Sequence, residues 1–186
     1  MKKVPLANKL SILRILCIPF FIGTLIYYNP QRDYLRWISL GIFCVAALSD
    51  FFDGFFARKL QQKTTFGAII DPLADKALLI SSFITLAALK SSIWNFKFPT
   101  WIPIIIISRD AIILLGSALI CALKKEFKIL PTPLGKLTTT FQMTTIICII
   151  ANFKFAPFIW NTTVLITVFS GIQYITHGIK ILNTEE

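Results

Sequence analysis

Residues that commonly bind zinc are scarce in this sequence. It has one histidine, His177, and its four cysteines stand far apart in apolar runs, so that no CxxC pair occurs. We therefore assign no chemistry to His177 and expect the cysteines to be apolar packing residues, neither metal ligands nor a disulfide framework. Acidic residues are also few, nine against nineteen lysines and arginines. The positions of those few acidic residues are therefore informative.

Uninterrupted apolar runs long enough to cross a bilayer are missing from much of the chain, although 55% of its residues are hydrophobic and its mean hydropathy is +0.72. A spanning helix needs roughly 20 residues, and many uncharged runs end earlier at an ionisable residue. If helices continue through these charges, the sequence predicts an all-α membrane protein with six transmembrane helices in a single domain, 1–186. The predicted helices cover about 8–28, 35–58, 66–89, 100–124, 134–153 and 157–181.

The distribution of lysine and arginine predicts the orientation of these helices. With a cytoplasmic N-terminus, twelve basic residues fall on the cytoplasmic side and five on the other, so both termini are expected inside. The net charge of +10 would then attract anionic lipid head groups or phosphorylated substrates. Basic residues dispersed among loops argue against nucleic-acid binding. A compact chain of this kind fits a bacterial inner membrane.

Four aspartates lie on two neighbouring predicted helices. Asp50 and Asp53 are three residues apart, and Asp71 and Asp75 are four apart, so each pair shares one helical face. The polar segment between the pairs predicts a cytoplasmic turn near Gln61–Gln62. Because both cross-helix pairs are centred on that turn, the four carboxylates are expected at one depth, roughly 13–18 Å below it.

Four carboxylates in a partly desolvated cleft would repel one another unless cations neutralised them. A set of carboxylates without histidine or cysteine suits a hard cation such as Mg²⁺ or Mn²⁺, and four aspartates can hold two ions. Paired ions are the usual clamp for displacement at phosphorus. The same four residues could instead form the ion site of a divalent-cation transporter. Transporters often carry repeated halves with binding segments in both, whereas this acidic cluster occurs once, which favours an enzyme.

The fixed residues of this region form the pattern DxxDGxxARx8GxxxDxxxD, with each of its eight positions filled: Asp50, Asp53, Gly54, Ala57, Arg58, Gly67, Asp71 and Asp75. The pattern resembles the motif of the CDP-alcohol phosphatidyltransferases. The segments NKLSILRILCIPFF, SRDAIIL and LGKLTTTFQM resemble further parts of that family. The resemblance implies transfer of a phosphatidyl group from CDP-diacylglycerol to an alcohol, at an active site on the cytoplasmic end of the helix bundle.

The resemblance also implies roles for individual residues. Asp50, Asp53, Asp71 and Asp75 would bind two divalent cations, and Asp75 would act in addition as the general base. The residues expected to border the CDP group are Gly54, Ala57, Arg58 and Gly67. A homodimer in contact with membrane lipids is expected as well.

The acceptor alcohol is less well specified by the sequence. Arg109 and Lys136 match basic positions expected to hold the acceptor phosphate in family members that use glycerol 3-phosphate, which is the acceptor we predict. A local ion pair of Arg109 with Asp110 and a loop anchor at Lys136 are the alternatives, and Arg14 is a further candidate for the cleft. Asp110 departs from the glutamate usual at that position, so phosphatidylglycerol, as in cardiolipin synthases, or another alcohol remains open.

Overall fold

The computed structural model describes residues 6–60, 65–89, 98–123 and 133–183, with side chains over 11–49, 73–89, 98–116 and 133–179. These ranges form an all-helical fold with no strands. The helices are α1 Leu6–Ile26, α2 Tyr34–Leu60, α3 Thr65–Ala88, α4 Trp101–Leu123, α5 Pro133–Ile150 and α6 Ala156–Asn183, with a short 3₁₀ helix, Pro30–Arg32, before α2. Six helices are present as predicted, with each boundary within three residues of its expected position. That all six span a membrane stays a prediction.

Two compact units divide the described chain. The first, unit 1, comprises residues 1–98 together with 146–154, and the second, unit 2, comprises 99–145 and 155–186. In unit 1, α1 packs against both α2 and α3. Phe21 of α1 and Phe43 of α2, both fully buried, meet with ring centroids 5.8 Å apart. Beside them, the Ser39 hydroxyl donates to the Thr24 hydroxyl at 2.8 Å, which joins α1 to α2 with a polar contact.

In unit 2, α4 packs against α6. The Tyr174 hydroxyl on α6 donates to the carbonyl of Ile113 on α4 at 3.2 Å. A Cβ at Gly116 would lie 3.1 Å from Tyr174 Cε1, so the glycine permits this close approach. The α5–α6 contact includes a hydrogen bond of 2.7 Å between the hydroxyls of Thr145 and Thr163.

Much of the outer surface is apolar. Phe20 and Leu115 are 68% and 71% exposed, and Phe158 is 73% exposed. Exposed apolar side chains in such number are typical of a helical membrane protein rather than of a soluble one. In the described chain, residues Ala156–Ile179 form one stretch that is long and apolar enough to span a membrane, and Ser11–Ile26 and Tyr34–Ser49 are shorter apolar helices.

An ion-pair cluster connects the α1–α2 loop to the end of α5. Asp33 accepts hydrogen bonds from Arg36 Nη2 at 2.9 Å and Trp37 Nε1 at 3.2 Å, and a long one from the Tyr28 hydroxyl at 3.4 Å. Arg36 Nε also lies 2.8 Å from the Asp33 carboxylate, as an ion-pair contact rather than an aligned hydrogen bond. Arg36 Nη1 donates to the carbonyl of Ala151 at 3.3 Å. The cluster therefore ties together two loops of unit 1.

Helix α5 ends in a capping turn that leaves the Ala151 carbonyl available to Arg36. Asn152 has a φ of 54°, in the left-handed region that asparagine tolerates better than most residues. The N–H of Asn152 donates to the carbonyl of Ile149, and that of Phe153 donates to Cys148. This pair of bonds is the Schellman arrangement that satisfies the last carbonyls of a helix.

The cluster predicts a loss of stability in acid. The hydrogen bond from Arg36 lowers the pKa of Asp33, with smaller contributions from Trp37 and Tyr28 and an opposing one from burial. Because the folded-state pKa lies below the unfolded one, the stabilisation is complete above about pH 4 and is lost as the pH falls through the folded value. In detergent at pH 7, Asp33→Asn should unfold about 2 °C below the wild type. This difference should shrink as the pH is lowered below about 4.

The control for this experiment is Trp37→Phe, which removes one hydrogen-bond donor and keeps the ion pair. It should retain most of the pH dependence of the wild type, because the hydrogen bond from Arg36 makes the largest contribution to the lowered pKa of Asp33. A gap between Asp33→Asn and wild type that stayed constant from pH 7 to pH 3 would show that protonation of Asp33 does not control this contribution. Intrinsic fluorescence during a thermal scan at each pH measures the effect.

Candidate active site

The first half of the aspartate motif lies in the second half of α2. Asp50 is ten residues and Asp53 seven residues before the last residue of that helix, Leu60. At 1.5 Å per residue these positions are about 15 Å and 10 Å from the helix end. The side chains of both aspartates, and those of Ala57 and Arg58, lie outside the described residues, as does the predicted turn at 61–62.

The second half of the motif lies in the first half of α3. Asp71 follows the first residue, Thr65, by six residues and Asp75 follows it by ten, about 9 Å and 15 Å along the axis. The side chain of Asp71 is outside the described residues. Asp75 is half-buried, with its Oδ1 atom shielded from solvent. Asp50 is thus ten residues from the last residue of α2, and Asp75 is ten residues from the first residue of α3. That the four carboxylates lie at one depth stays a prediction.

The residues of the motif fit divalent cations by their chemistry. Four carboxylates at two helical spacings supply oxygen ligands only, which Mg²⁺ and Mn²⁺ prefer. The Oδ1 atom of Asp75 is buried, and a nearby cation stabilises the charged form of a carboxyl group that is withdrawn from water. Direct coordination by all four aspartates stays a prediction, since three of the side chains are outside the described part.

Arg109 lies in α4 within a buried polar cluster of unit 2. Its Nη1 donates to Asp110 Oδ1 at 2.7 Å, and its Nη2 donates to the Ser170 hydroxyl on α6 at 2.6 Å. The side chains of Arg109 and Asp110 are only 8% and 1% exposed. A Cβ at Gly171 would lie 3.4 Å from Arg109 Cγ, so the arginine stem runs close to the α6 backbone. The local pair with Asp110, one of the two alternatives, is therefore present.

The pair with Asp110 does not by itself decide whether Arg109 binds the acceptor. Nε of Arg109 is buried and has no hydrogen-bond partner among the described residues. A guanidinium has five N–H groups, so that two bonds leave further donors for an anion. Acceptor binding by Arg109 stays a prediction, with Asp110 and Ser170 as the groups that hold its side chain.

Lys136 lies in the first turn of α5 and is exposed. Thr140, one helical turn further on, is exposed as well, and so is the adjacent Leu137, whereas Thr138 is fully buried. The lysine therefore belongs to the outer face of α5 within unit 2. Its predicted role toward the acceptor phosphate is not decided by this placement.

The structure buries two polar residues whose burial is not evident from the sequence. Arg14 of α1 and Gln142 of α5 are both fully buried. Arg14, a further candidate for the cleft, is buried within unit 1, and its role there stays a prediction. Gln142 was not predicted; the available signal was its spacing from Thr138 and Thr145, which places three polar residues on one face of an otherwise apolar helix.

Comparison with known proteins indicates the family of this chain. A sequence profile of the CDP-alcohol phosphatidyltransferases matches residues 4–173. A Salmonella paratyphi A protein named CDP-diacylglycerol–glycerol-3-phosphate 3-phosphatidyltransferase is 31% identical over 176 residues, covering 90% of this chain and 91% of its own length. A Shigella flexneri protein of the same name is 32% identical with the same coverage.

A relative from another organism gives a similar result. A Mycobacterium tuberculosis protein named probable phosphatidylglycerophosphate synthase is 28% identical over 181 residues, covering 94% of this chain and 82% of its own length. The profile match includes the complete aspartate motif, both helices that carry it, and the Arg109 region. This chain belongs to the CDP-alcohol phosphatidyltransferase family.

Proposed function

We propose that this protein transfers the phosphatidyl group of CDP-diacylglycerol to glycerol 3-phosphate, forming phosphatidylglycerophosphate and CMP in phospholipid biosynthesis. The observation that carries the proposal is the complete eight-residue motif on α2 and α3. Relatives at 31–32% identity that are named for this reaction support the choice of acceptor.

Asp75 is the proposed general base of the phosphatidyl transfer. Its carboxylate takes the proton of a primary hydroxyl of the acceptor, and the resulting oxygen attacks the phosphorus that carries diacylglycerol. The new P–O bond forms as the bond to CMP breaks, and CMP leaves with the electron pair. Divalent cations held by Asp50, Asp53, Asp71 and Asp75 would neutralise the diphosphate and the departing CMP. Gly54, Ala57, Arg58 and Gly67 would border the nucleotide.

The acceptor phosphate is assigned to Arg109 and Lys136. Arginine suits a phosphate because its N–H groups form charge-assisted bonds in a fixed plane. The hydrogen bonds to Asp110 and Ser170 hold the Arg109 side chain in one orientation. An oriented guanidinium loses less conformational entropy when an anion binds.

The proposal includes the membrane arrangement. All six helices would span a bacterial inner membrane with both termini in the cytoplasm, and two chains would form a homodimer. Support comes from the apolar outer surface and from the excess of basic residues on one side. Aspartates near the cytoplasmic ends of α2 and α3 would face a nucleotide head group that is soluble and tethered to a lipid.

The experiment that tests the acceptor is a comparison of CMP release across alcohols. Purified protein in detergent with CDP-diacylglycerol and Mg²⁺ should release CMP with glycerol 3-phosphate at least about tenfold faster than with phosphatidylglycerol, inositol phosphate or serine. For serine, which has no phosphate, a difference of tenfold corresponds to the 1.4 kcal/mol that one or two charge-assisted bonds to phosphate readily supply. Release with phosphatidylglycerol alone would establish cardiolipin synthesis instead.

A further inference from the structure

Gln142 is a fully buried amide in the middle of α5. Neither its Oε1 nor its Nε2 has a hydrogen-bond partner among the residues that the structure describes. Buried side-chain amides are nearly always bonded, because taking one out of water without a partner is costly. A group that satisfies this amide is therefore expected from outside the described protein atoms.

The face of α5 that contains Gln142 is lined by hydroxyls. Thr138 precedes it by four residues and Thr145 follows it by three, so the three side chains share one side of the helix, and all are at most 1% exposed. On α6, Thr163, Thr167 and Ser170 follow the same kind of spacing and are equally buried. We call these six residues the polar seam of unit 2.

The hydroxyl protons of the four threonines in the seam have acceptors within the protein. Thr138 donates to the carbonyl of Leu134 at 2.8 Å, and Thr167 donates to Thr163 at 2.7 Å. Thr145 and Thr163 have backbone carbonyls within reach and share a bond with each other. The groups of the seam that can still bind a ligand are the lone pairs of its hydroxyl oxygens and the side-chain amide of Gln142. That amide has two N–H donors and one carbonyl acceptor. A neutral hydroxyl, which both donates and accepts, matches that set.

Unit 2 also contains the cation assigned to the acceptor phosphate. Ser170 belongs to the seam and accepts a hydrogen bond from Arg109 Nη2 at 2.6 Å. Ser170 therefore connects the α6 side of the seam to the charged cluster. A ligand with a phosphate at one end and a free hydroxyl at the other has chemistry suited to both parts.

Glycerol 3-phosphate has three polar groups. Its phosphate is assigned to the basic residues, and its primary hydroxyl attacks phosphorus, which leaves the secondary hydroxyl. We infer that Gln142 is a specificity-determining residue that hydrogen-bonds this non-reacting secondary hydroxyl of the acceptor. The inference rests on the proposed function, since it presupposes a polyol phosphate as acceptor.

The test compares glycerol 3-phosphate with 3-hydroxypropyl phosphate, which lacks only the secondary hydroxyl. For the wild type, kcat/KM measured by CMP release should be about tenfold higher with glycerol 3-phosphate, the effect of a hydrogen bond whose loss leaves a buried group unsatisfied. In Gln142→Met, which keeps the length of the side chain, the ratio should fall close to one. The ratio should fall mainly because kcat/KM for glycerol 3-phosphate decreases, while kcat/KM for 3-hydroxypropyl phosphate stays close to its wild-type value.

The matched control is Gln173→Met, the same replacement at an exposed position of α6, which should keep the wild-type ratio. A purely structural role for Gln142 would change the unfolding temperature or both substrates alike, so an unchanged ratio in active Gln142→Met overturns the inference. A wild-type ratio near one overturns it without any variant. Wild-type activity with phosphatidylglycerol and neither phosphate acceptor overturns the proposed function, and the inference with it.

Discussion

Replacement of Asp75 by asparagine is expected to lower the rate of CMP release by a factor of about 10²–10⁴, the usual contribution of a positioned general base. Asparagine keeps the size and one carbonyl oxygen of the side chain but cannot take a proton from the acceptor hydroxyl. It also removes a negative charge from the predicted cation site. Because Asp75 is half-buried in α3, the replacement should leave the fold intact.

The matched control is Asp33→Asn, which makes the same chemical change in the loop before α2. Assayed well below its unfolding temperature, this variant should release CMP at the wild-type rate. Product formation should be followed at saturating concentrations of both substrates, so that a loss of binding does not hide the loss of chemistry. Full activity of Asp75→Asn would rule out the assigned base.

Removal of divalent cations is expected to abolish activity altogether. Protein treated with EDTA should release no CMP above the background rate, and either Mg²⁺ or Mn²⁺ should restore it. The physical reason is that a diphosphate close to four carboxylates is repelled unless cations lie between them. Loss of a residue that only contacts a metal ligand commonly lowers metal affinity by about 10–100-fold. Asp53 is predicted to be a ligand itself, so Asp53→Asn should raise the cation concentration needed for half-maximal rate by at least about tenfold.

Two results would contradict this account of the aspartates. Release of CMP by protein free of divalent ions would show that the carboxylates do not act through a metal. Uptake of divalent cations into proteoliposomes, without CMP formation under any condition, would favour transport. The control variant Asp33→Asn should need the same cation concentration as the wild type, because its carboxylate is engaged by Arg36 and Trp37.

The helices of this protein were predictable because each has a long apolar segment ended by polar or helix-breaking residues. The helices that carry charges inside, such as α3 with Asp71 and Asp75, were found only by allowing ionisable residues within a span. The short 3₁₀ helix at Pro30–Arg32 was missed. Three residues in a turn have no periodicity from which to predict them.

The reaction class was predictable for a different reason. Eight residue types at fixed spacing specify a motif whatever the surrounding packing is, and the family match agrees with that assignment. Contacts between helices distant in sequence were not predictable in the same way. The bond from Arg109 to Ser170 joins residues 61 positions apart, and no spacing within α4 indicates which helix lies next to it.

The buried state of Gln142 illustrates the same difference. Helical periodicity places it with Thr138 and Thr145, yet all three could have faced lipid, a neighbouring helix or a polar ligand. Only the structure shows that this face is the buried one. Sequence patterns thus define the faces of these helices, and packing decides which face meets which partner.

The bond from Arg36 to the Ala151 carbonyl also bears on the order in which the chain assembles. It closes a separation of 115 residues, and the segment Ile146–Lys154 belongs to the same compact unit as the first 98 residues. Contacts of α1 with α2 can form early in synthesis, whereas closing so long a loop requires the fifth helix to have been made. Unit 1 is therefore completed late, and a nascent chain that stops before residue 146 lacks the segment that finishes it.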